Sequence, residues 1–296
     1  MRSPAIATRS LARLSLILPA LVGLLAGCSG AGSRIINALT PSAGYVETRD
    51  IAYGDGPRRR LDVYRPAGLP AGAKAPVVVF FYGGSWRTGS KADYRFVADA
   101  LTSRGIVTVI ADYRLYPEVR YPEFLDDTAA AVAWTFREID RHGGDPTRIF
   151  VAGHSAGAYN AAMIAFDPRW LARQGLAPNQ LRGFIGLAGP YNFLPIQDEA
   201  VKPVFDGPNP PPDSQPIDHV TPESIPSLLI AAKNDRFVYP EVNTEAMAER
   251  LRAAGAEVTV VVHTGVNHVT LIAAMSRALR ALAPVAKEFS DFVLSL

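Results

Sequence analysis

The sequence predicts an α/β fold, with a doubly wound, mostly parallel sheet of eight strands and helices on both faces. Apolar segments such as VVVFFY, IVTVIA and SLLIAA are continuous rather than alternating, which is typical of parallel strands covered on both faces. Helical patterns fall between the later strands, and this alternation favours a doubly wound sheet. The chain has 296 residues, of which 48% are hydrophobic, so it can bury a substantial core.

The first residues are typical of a targeting segment rather than of a fold. Arg2, Arg9 and Arg13 precede an apolar run, 14–25, that is too short to span a bilayer comfortably. We therefore predict a signal peptide over residues 1–27. Loss of its three arginines would take the formal net charge from +2 to −1. This balance, without a basic stripe, argues against a nucleic-acid partner.

Cys28 is the single cysteine of the chain, so no disulfide can form within it. It ends the sequence LAGC, which resembles the lipobox of bacterial lipoproteins. We expect Cys28 to be lipidated and to anchor an exported protein to a membrane of the bacterial cell envelope. An ordinary signal peptide with an incidental cysteine is the alternative. Residues 28–43, rich in Ser, Gly and Ala, are predicted to be a flexible tether, and residues 44–296 a single domain.

Turn signals divide the domain into predicted strands and helices. The strands are 45–52, 60–64, 77–82, 106–111, 149–152, 183–187, 228–231 and 258–263. The segment YGDGPRRR between the first two suggests a hairpin, so this edge should be antiparallel. The helices are 91–104, 123–141, 241–254 and 271–294, the last with a break expected at Pro284.

One segment does not follow the alternation. Residues 190–226 include PVFDGPNPPPDSQP and are dense in Pro, Asp and Asn. A long irregular insertion in a compact domain is usually functional or mobile, so we predict a short lid or rim over a ligand site. A surface crossover without a role is the alternative.

A serine lies between two glycines where strand 149–152 gives way to a helix. The segment is GHSAG, residues 153–157, with Ser155 at its centre. At such a turn the serine hydroxyl is exposed on a strained backbone, and glycines two residues away on either side avoid a clash. The amino terminus of the next helix suits an oxygen that gains negative charge. The pattern predicts a nucleophilic serine.

A serine nucleophile needs a histidine base and a carboxylate that orients it. We select His268, which follows the last strand and precedes the last helix, and Asp235, which follows strand 228–231. His154 adjoins Ser155, but its side chain should point away from that of its neighbour along the strand. His268 could instead be a helix-cap neighbour, and Asp235 a plain turn residue. The other histidines are less suited by position: His142, His219 and His263.

When a serine attacks a carbonyl group, the carbonyl oxygen becomes negatively charged. This oxyanion needs backbone N–H donors. The N–H of Ala156, directly after the nucleophile, should be one of them. The loop YGGSW after strand 77–82 should supply further donors, from the N–H groups of Gly84 and Ser85. A glycine-rich loop without catalytic duty is the alternative.

These segments together resemble α/β-hydrolases of the esterase and lipase type, near the hormone-sensitive-lipase-like and feruloyl-esterase-like bacterial carboxylesterases. The matching segments cover nearly the whole domain: LDVYRP, YGGSW, DYRLYPEVRYPEF, GHSAG, NDRFV and NHVTLI. The resemblance implies an α/β-hydrolase fold and a serine hydrolase, with Asp112 and Arg114 as structural supports. Two departures are Tyr82, where the family usually has His, and the absence of a glycine in AAKND.

The expected activity is hydrolysis of small to medium carboxylic esters through an acyl-enzyme, with no metal and no cofactor. An arylformamidase-like amidase is the related alternative, and a non-catalytic surface protein on the same fold is the distinct one. The natural ester, the acyl-chain preference and the oligomeric state stay open.

Overall fold

A computed structural model describes residues 29–208 and 210–296 of the chain. In this part of the chain a mixed sheet has the strand order β1-β2-β4-β3-β5-β6-β7-β8. The strands are β1 Tyr45–Ala52, β2 Arg60–Pro66, β3 Ala75–Phe81, β4 Val107–Ala111, β5 Gly144–His154, β6 Gly183–Leu187, β7 Ser227–Ala232 and β8 Val258–His263. Strand β2 is antiparallel to both β1 and β4, and the other pairs are parallel. The predicted mostly parallel eight-stranded sheet with an antiparallel edge is confirmed.

Helices connect the strands and cover the sheet. The α-helices are α1 Ser29–Ala38, α2 Arg95–Thr102, α3 Glu123–Glu138, α4 Ala156–Phe166, α5 Pro168–Ala172, α6 Ala246–Ala253, α7 His268–Ala273 and α8 Val285–Ser295. Short turns of other helix types are Lys91–Tyr94, Ile139–His142, Pro178–Gln180, Lys202–Phe205, Pro212–Ser214, Pro216–His219 and the π-helical Glu241–Glu245. The predicted helix 271–294 is two helices, because α8 begins only after Pro284, whose ring cannot continue a helix from the preceding turn.

The central strands form the core. All seven residues of β3, APVVVFF, are buried, as are all six of β7, SLLIAA. Strand β1 mixes buried and exposed positions, and β8 is half-buried, because each lies at an edge of the sheet. The continuous apolar runs therefore mark the strands that are covered on both faces.

The amino-terminal part of the described chain differs from the prediction of a flexible tether. Residues Ser29–Ala38 form α1, and the Ile36 side chain is buried in the core. The Asn37 side chain donates to the Ala92 carbonyl oxygen at 2.7 Å, and the Arg95 guanidinium donates to the Asn37 carbonyl. Composition suggested a tether, but an apolar side chain that reaches the core makes this segment part of the domain.

The predicted signal peptide, 1–27, and Cys28 lie outside the described residues. Among the described helices, none has both the length and the apolar character that a membrane span requires.

The Pro-rich segment packs beside the carboxyl ends of the strands. Its Phe193 and Phe205 rings surround Trp86, with centroid distances of 6.3 and 5.0 Å. The Tyr159 hydroxyl of α4 donates to the Ser214 carbonyl at 2.7 Å. The segment is thus attached to the glycine-rich loop and to the helix that follows Ser155, which is consistent with a rim.

Candidate active site

Ser155 lies at a sharp turn between β5 and α4. Its φ of 54° and ψ of −125° are strained for a residue with a side chain. A Cβ on Gly153 would overlap the backbone of Gly157, and a Cβ on Gly157 would overlap the Phe81 carbonyl. The two glycines let α4 leave the sheet directly after the serine. The Ser155 N–H donates to the Leu187 carbonyl of β6 at 2.9 Å, which holds the turn against the sheet.

A hydrogen-bonded chain joins Ser155, His268 and Asp235. Nε2 of His268 lies 2.9 Å from Ser155 Oγ, and Nδ1 lies 2.6 Å from Asp235 Oδ2. A carboxylate only accepts hydrogen bonds, so Nδ1 carries the ring proton and Nε2 accepts from the serine hydroxyl. The structure thus brings together the three residues that the sequence predicts for the site. Along the chain, His268 is 113 positions from Ser155 and 33 positions from Asp235.

The backbone around His268 is fixed by a helix cap. His268 is the first residue of α7, and the Asn267 side chain accepts from the N–H groups of Val269 and Thr270 at 3.1 and 3.0 Å. In return the Thr270 hydroxyl accepts from the Asn267 N–H at 2.8 Å. This capping box satisfies the free donors of the first turn and sets the direction of the imidazole. In the sequence NHVT, Asn267 and Thr270 therefore cap the helix, while His268 between them belongs to the site.

Asp235 is buried and held by its own loop. Oδ1 accepts from the N–H groups of Phe237 and Val238, both at 2.9 Å, which leaves Oδ2 for His268. Bonds to two backbone donors hold this carboxylate in a fixed orientation. The missing glycine in AAKND does not prevent this turn, since Asp235 N–H bonds to the Ala232 carbonyl at 3.2 Å.

The glycine-rich loop lies directly over the serine. A Cβ on Gly83 would stand 2.9 Å from the Ser155 Cβ. Gly84, Ser85 and Trp86 have φ values of 130°, 53° and 57°, so the loop is tightly turned at three successive residues. Bonds from the N–H groups of residues 87 and 88 to the Gly84 carbonyl close the turn.

The expected donors lie in this loop and at the start of α4. Ala156 is the first residue of that helix, so its N–H has no acceptor in a preceding turn. The structure therefore places Ala156 directly after Ser155, and it brings the loop that contains Gly84 and Ser85 next to the serine through Gly83. Their role as an oxyanion hole stays a prediction.

Tyr82 is a support of this loop. Its side chain is fully buried and stacks on Tyr113 with a centroid distance of 4.8 Å. Its hydroxyl accepts from Arg58 at 2.6 Å, and the same guanidinium donates to the Gly89 carbonyl at 2.8 Å. The Tyr113 hydroxyl donates to the Tyr82 carbonyl at 2.8 Å. Tyr82, which departs from the family pattern, thus helps to hold the glycine-rich loop in place through Arg58 and Tyr113.

The DYRLYPE segment also supports the site. Asp112 Oδ1 accepts from the Lys91 N–H at 2.8 Å, and burial raises the pKa of this carboxyl. Arg114 binds the buried Asp127 carboxylate through two donors at 2.8 and 2.9 Å. The Asp112 and Arg114 side chains make no hydrogen bond to Ser155, His268 or Asp235. This agrees with the supporting role that the family resemblance implies for them.

His154 also lies at the site, although its place along the strand predicts a side chain that points away from that of Ser155. Its Nε2 lies 3.1 Å from the His268 carbonyl oxygen, and the two rings are 4.8 Å apart. Burial lowers the pKa of His154 well below 6.5, and the nearby His268 lowers it further, so the ring is neutral. The available signal was its position at the end of β5, where strand ends converge.

The three remaining histidines lie away from Ser155. His142 packs on Trp134, Nε2 of His219 contacts the Asp213 carbonyl, and Nε2 of His263 contacts Glu288. Across 29–208 and 210–296, no group of three or more His, Cys, Asp or Glu side chains is placed to hold a metal ion.

Comparison with known proteins gives consistent matches. The BD-FAE family model matches residues 61–251. Esterase LipC of Mycobacterium tuberculosis is 33% identical over 228 residues, 71% of this chain and 56% of that protein. A probable isoprenylcysteine alpha-carbonyl methylesterase, ICMEL1 of Arabidopsis thaliana, is 29% identical over 253 residues, 75% of this chain and 51% of that protein. The chain spans about half the length of these curated relatives.

Solved structures show the same fold. Esterase 2 of Thermogutta terrifontis superposes with a TM-score of 0.70 at 22% identity, over 86% of this chain and 96% of that one. A truncated carbohydrate esterase from gut microbiota gives a TM-score of 0.73 at 18% identity, over 86% and 98%. The predicted α/β-hydrolase fold is confirmed.

Proposed function

This chain belongs to the BD-FAE family, and we propose that it is a serine hydrolase of carboxylic esters. The observation that carries the proposal is the chain of hydrogen bonds from Ser155 through His268 to Asp235, at 2.9 and 2.6 Å. The named relatives, an esterase and a methylesterase, support the same chemistry.

In the proposed acylation step, Ser155 Oγ attacks the ester carbonyl carbon while Nε2 of His268 takes the hydroxyl proton. The Asp235 carboxylate stabilises the imidazolium that forms. The tetrahedral intermediate then collapses, the bond to the alcohol oxygen breaks, and Nε2 returns the proton to that oxygen. Water, activated by the same histidine, releases the acid and restores the serine.

The carbonyl oxygen becomes an anion in each tetrahedral intermediate. The N–H groups of Gly84, Ser85 and Ala156 are the proposed donors to it. A backbone donor that is already in position costs no reorganisation during the reaction, and each contributes about 3–4 kcal/mol in the transition state.

The proposed substrates are small to medium soluble esters. The Pro-rich segment is a short rim held by Phe205, whose side chain is buried, rather than a long apolar lid. A strong preference for long acyl chains in a chain-length series would contradict this proposal. An amidase and a non-catalytic protein were the alternatives, and no observation favours either of them.

The proposed location is the bacterial cell envelope, with a lipid anchor on Cys28. Support comes from the LAGC sequence after an apolar run. Helix α1, which begins at Ser29, packs on the domain, so an anchored protein would be held close to the membrane. Mass spectrometry of the amino terminus from the membrane fraction tests this, beside Cys28→Ser. An unmodified cysteine in the wild-type protein would contradict it.

The activity is tested with p-nitrophenyl acetate, butyrate and octanoate. We expect Ser155→Ala to lower kcat by at least about a thousandfold, and Ser103→Ala, at an exposed serine of the surface, to leave it unchanged. Paraoxon, which phosphorylates esterase 2 of Thermogutta terrifontis, should inactivate the wild-type protein and add no mass to Ser155→Ala. Hydrolysis that survives in Ser155→Ala would disprove the proposal.

A further inference from the structure

Phe237 is an exposed aromatic residue beside the triad. Its side chain is 75% exposed, yet its ring centroid is only 5.4 Å from that of the His268 imidazole. An exposed apolar side chain is ordinary on a protein surface in general. Here it adjoins the group that is expected to exchange protons with the substrate, so the ring lies beside the place where a substrate would bind.

The Phe237 backbone is held by the site itself. Its N–H donates to Asp235 Oδ1 at 2.9 Å, and the same carboxylate binds His268 through Oδ2 at 2.6 Å. The next residue, Val238, donates to the same oxygen and has a buried side chain. The backbone that carries the ring is therefore positioned by the same carboxylate that orients the histidine.

The far end of this loop is also fixed. The Asn243 amide donates to the Tyr239 carbonyl at 3.1 Å. Its side-chain oxygen accepts from the N–H groups of Tyr191 and Asn192, at 2.8 and 3.0 Å, at the start of the Pro-rich segment. A loop whose backbone is held at both ends keeps the attachment point of the ring fixed, which lowers the backbone entropy lost when a ligand packs on that ring.

The chemistry of His268 assigns a side to this ring. Nε2 returns its proton to the leaving alcohol oxygen, so the alcohol part of an ester must lie on the histidine side of Ser155. The acyl part extends from the carbonyl carbon in the other direction. The exposed Phe237 ring, which lies beside the imidazole, is therefore a neighbour of the alcohol part.

We propose that Phe237 is a specificity-determining residue that packs on the alcohol part of the substrate, and that the preferred substrates are esters of aromatic alcohols. This inference rests on the proposed function. An aromatic group would stack on Phe237 or meet it edge to face, which adds favourable energy beyond the area that is buried. A methyl or ethyl ester would leave the ring uncovered and obtain none of this energy.

Two isomeric esters test the proposal, because they contain the same atoms. Benzyl acetate has its ring on the alcohol side, and methyl phenylacetate has it on the acyl side. The measured quantity is the ratio of kcat/KM for benzyl acetate to that for methyl phenylacetate. We expect Phe237→Ala to lower this ratio about tenfold and Phe237→Tyr to preserve it. Tyr239→Ala is the matched control, since Tyr239 is an aromatic residue of the same loop, is 59% exposed and should not change the ratio.

Each outcome decides a separate point. An unchanged ratio in Phe237→Ala, or an equal fall in Tyr239→Ala, would overturn the proposal. A rise in the ratio would place the ring on the acyl side and would overturn it as well. If the wild-type protein hydrolyses p-nitrophenyl acetate but prefers methyl phenylacetate, the alcohol preference fails while the esterase function stands. If it hydrolyses none of these esters, the proposed function fails first.

Discussion

The His154 side chain contacts the main chain of His268. Nε2 of the first lies 3.1 Å from the carbonyl oxygen of the second, across 114 positions of sequence. A carbonyl oxygen can only accept, so Nε2 carries the proton of the neutral His154 ring and donates the hydrogen bond. The residue before the serine therefore helps to hold the residue that activates the serine.

The first prediction follows from this bond. His154→Phe keeps a ring of similar size but loses the donor, so we expect kcat for p-nitrophenyl acetate to fall about fivefold, in line with the loss of one hydrogen bond. His154→Gln places an amide nitrogen where Nε2 was and should recover most of the rate. Steady-state kinetics of both variants check this. Equal rates in the Phe and Gln variants would show that the bond does not position His268.

A second prediction concerns stability and pH. The pKa of His154 is far below 6.5 in the folded protein, chiefly because the ring is buried. In the unfolded chain the ring takes up a proton below about pH 6.5, so the unfolded state binds more protons there. This group should make the free energy of unfolding fall by up to about 1.4 kcal/mol per pH unit as the pH drops below 6.5.

His154→Gln removes this proton uptake. Urea unfolding at pH 7.5, 6.5 and 5.5 should therefore give a shallower decline in the variant than in the wild-type protein. His142 also has a lowered pKa through burial, but it is present in both proteins and cancels in the comparison. Parallel declines would mean that His154 is protonated to the same extent in both states.

The third prediction tests the carboxylate. Asp235→Asn should lower kcat by about ten thousandfold, because an amide can donate to Nδ1 and then favours the wrong tautomer of His268. Asp291→Asn, which removes an exposed ion pair with Lys287, is the matched control and should leave kcat unchanged. Circular dichroism would verify that both variants are folded. An Asp235→Asn enzyme with more than a tenth of the wild-type rate would exclude this carboxylate from the triad.

The fourth prediction tests Gly157, the second glycine of GHSAG. Gly157→Ala would drive a methyl group into the Phe81 carbonyl of β3, so we expect a loss of about 3 kcal/mol or more in the free energy of unfolding. Gly68→Ala is the control, because its added methyl group would meet no atom within 4 Å. Thermal and urea unfolding compare the two variants. Similar stabilities would show that the turn after Ser155 can relax.

The main elements of the sheet could be predicted because their signals are local. The run VVVFFY predicts a covered strand wherever the sheet places it, and GHSAG predicts a tight turn from the space that its own glycines leave. Asp235 and His268 could be selected by their order along the chain and their positions after strands. The composition of Ser29–Ala38 predicts a flexible tether, because its residues are mostly small. The structure differs there, since the segment is a helix whose Ile36 packs into the core.

The sequence by itself determined the strands and the turn at Ser155, since each depends on neighbours within a few positions, and it indicated Asp235 and His268 by their order along the chain. The tertiary structure alone decided that His154 contacts His268, that Tyr82 supports the glycine-rich loop through Arg58, and that Phe237 stands beside the imidazole. These contacts depend on strand order and on the exit direction of each loop. Both result from the packing of the whole core, which no local pattern specifies.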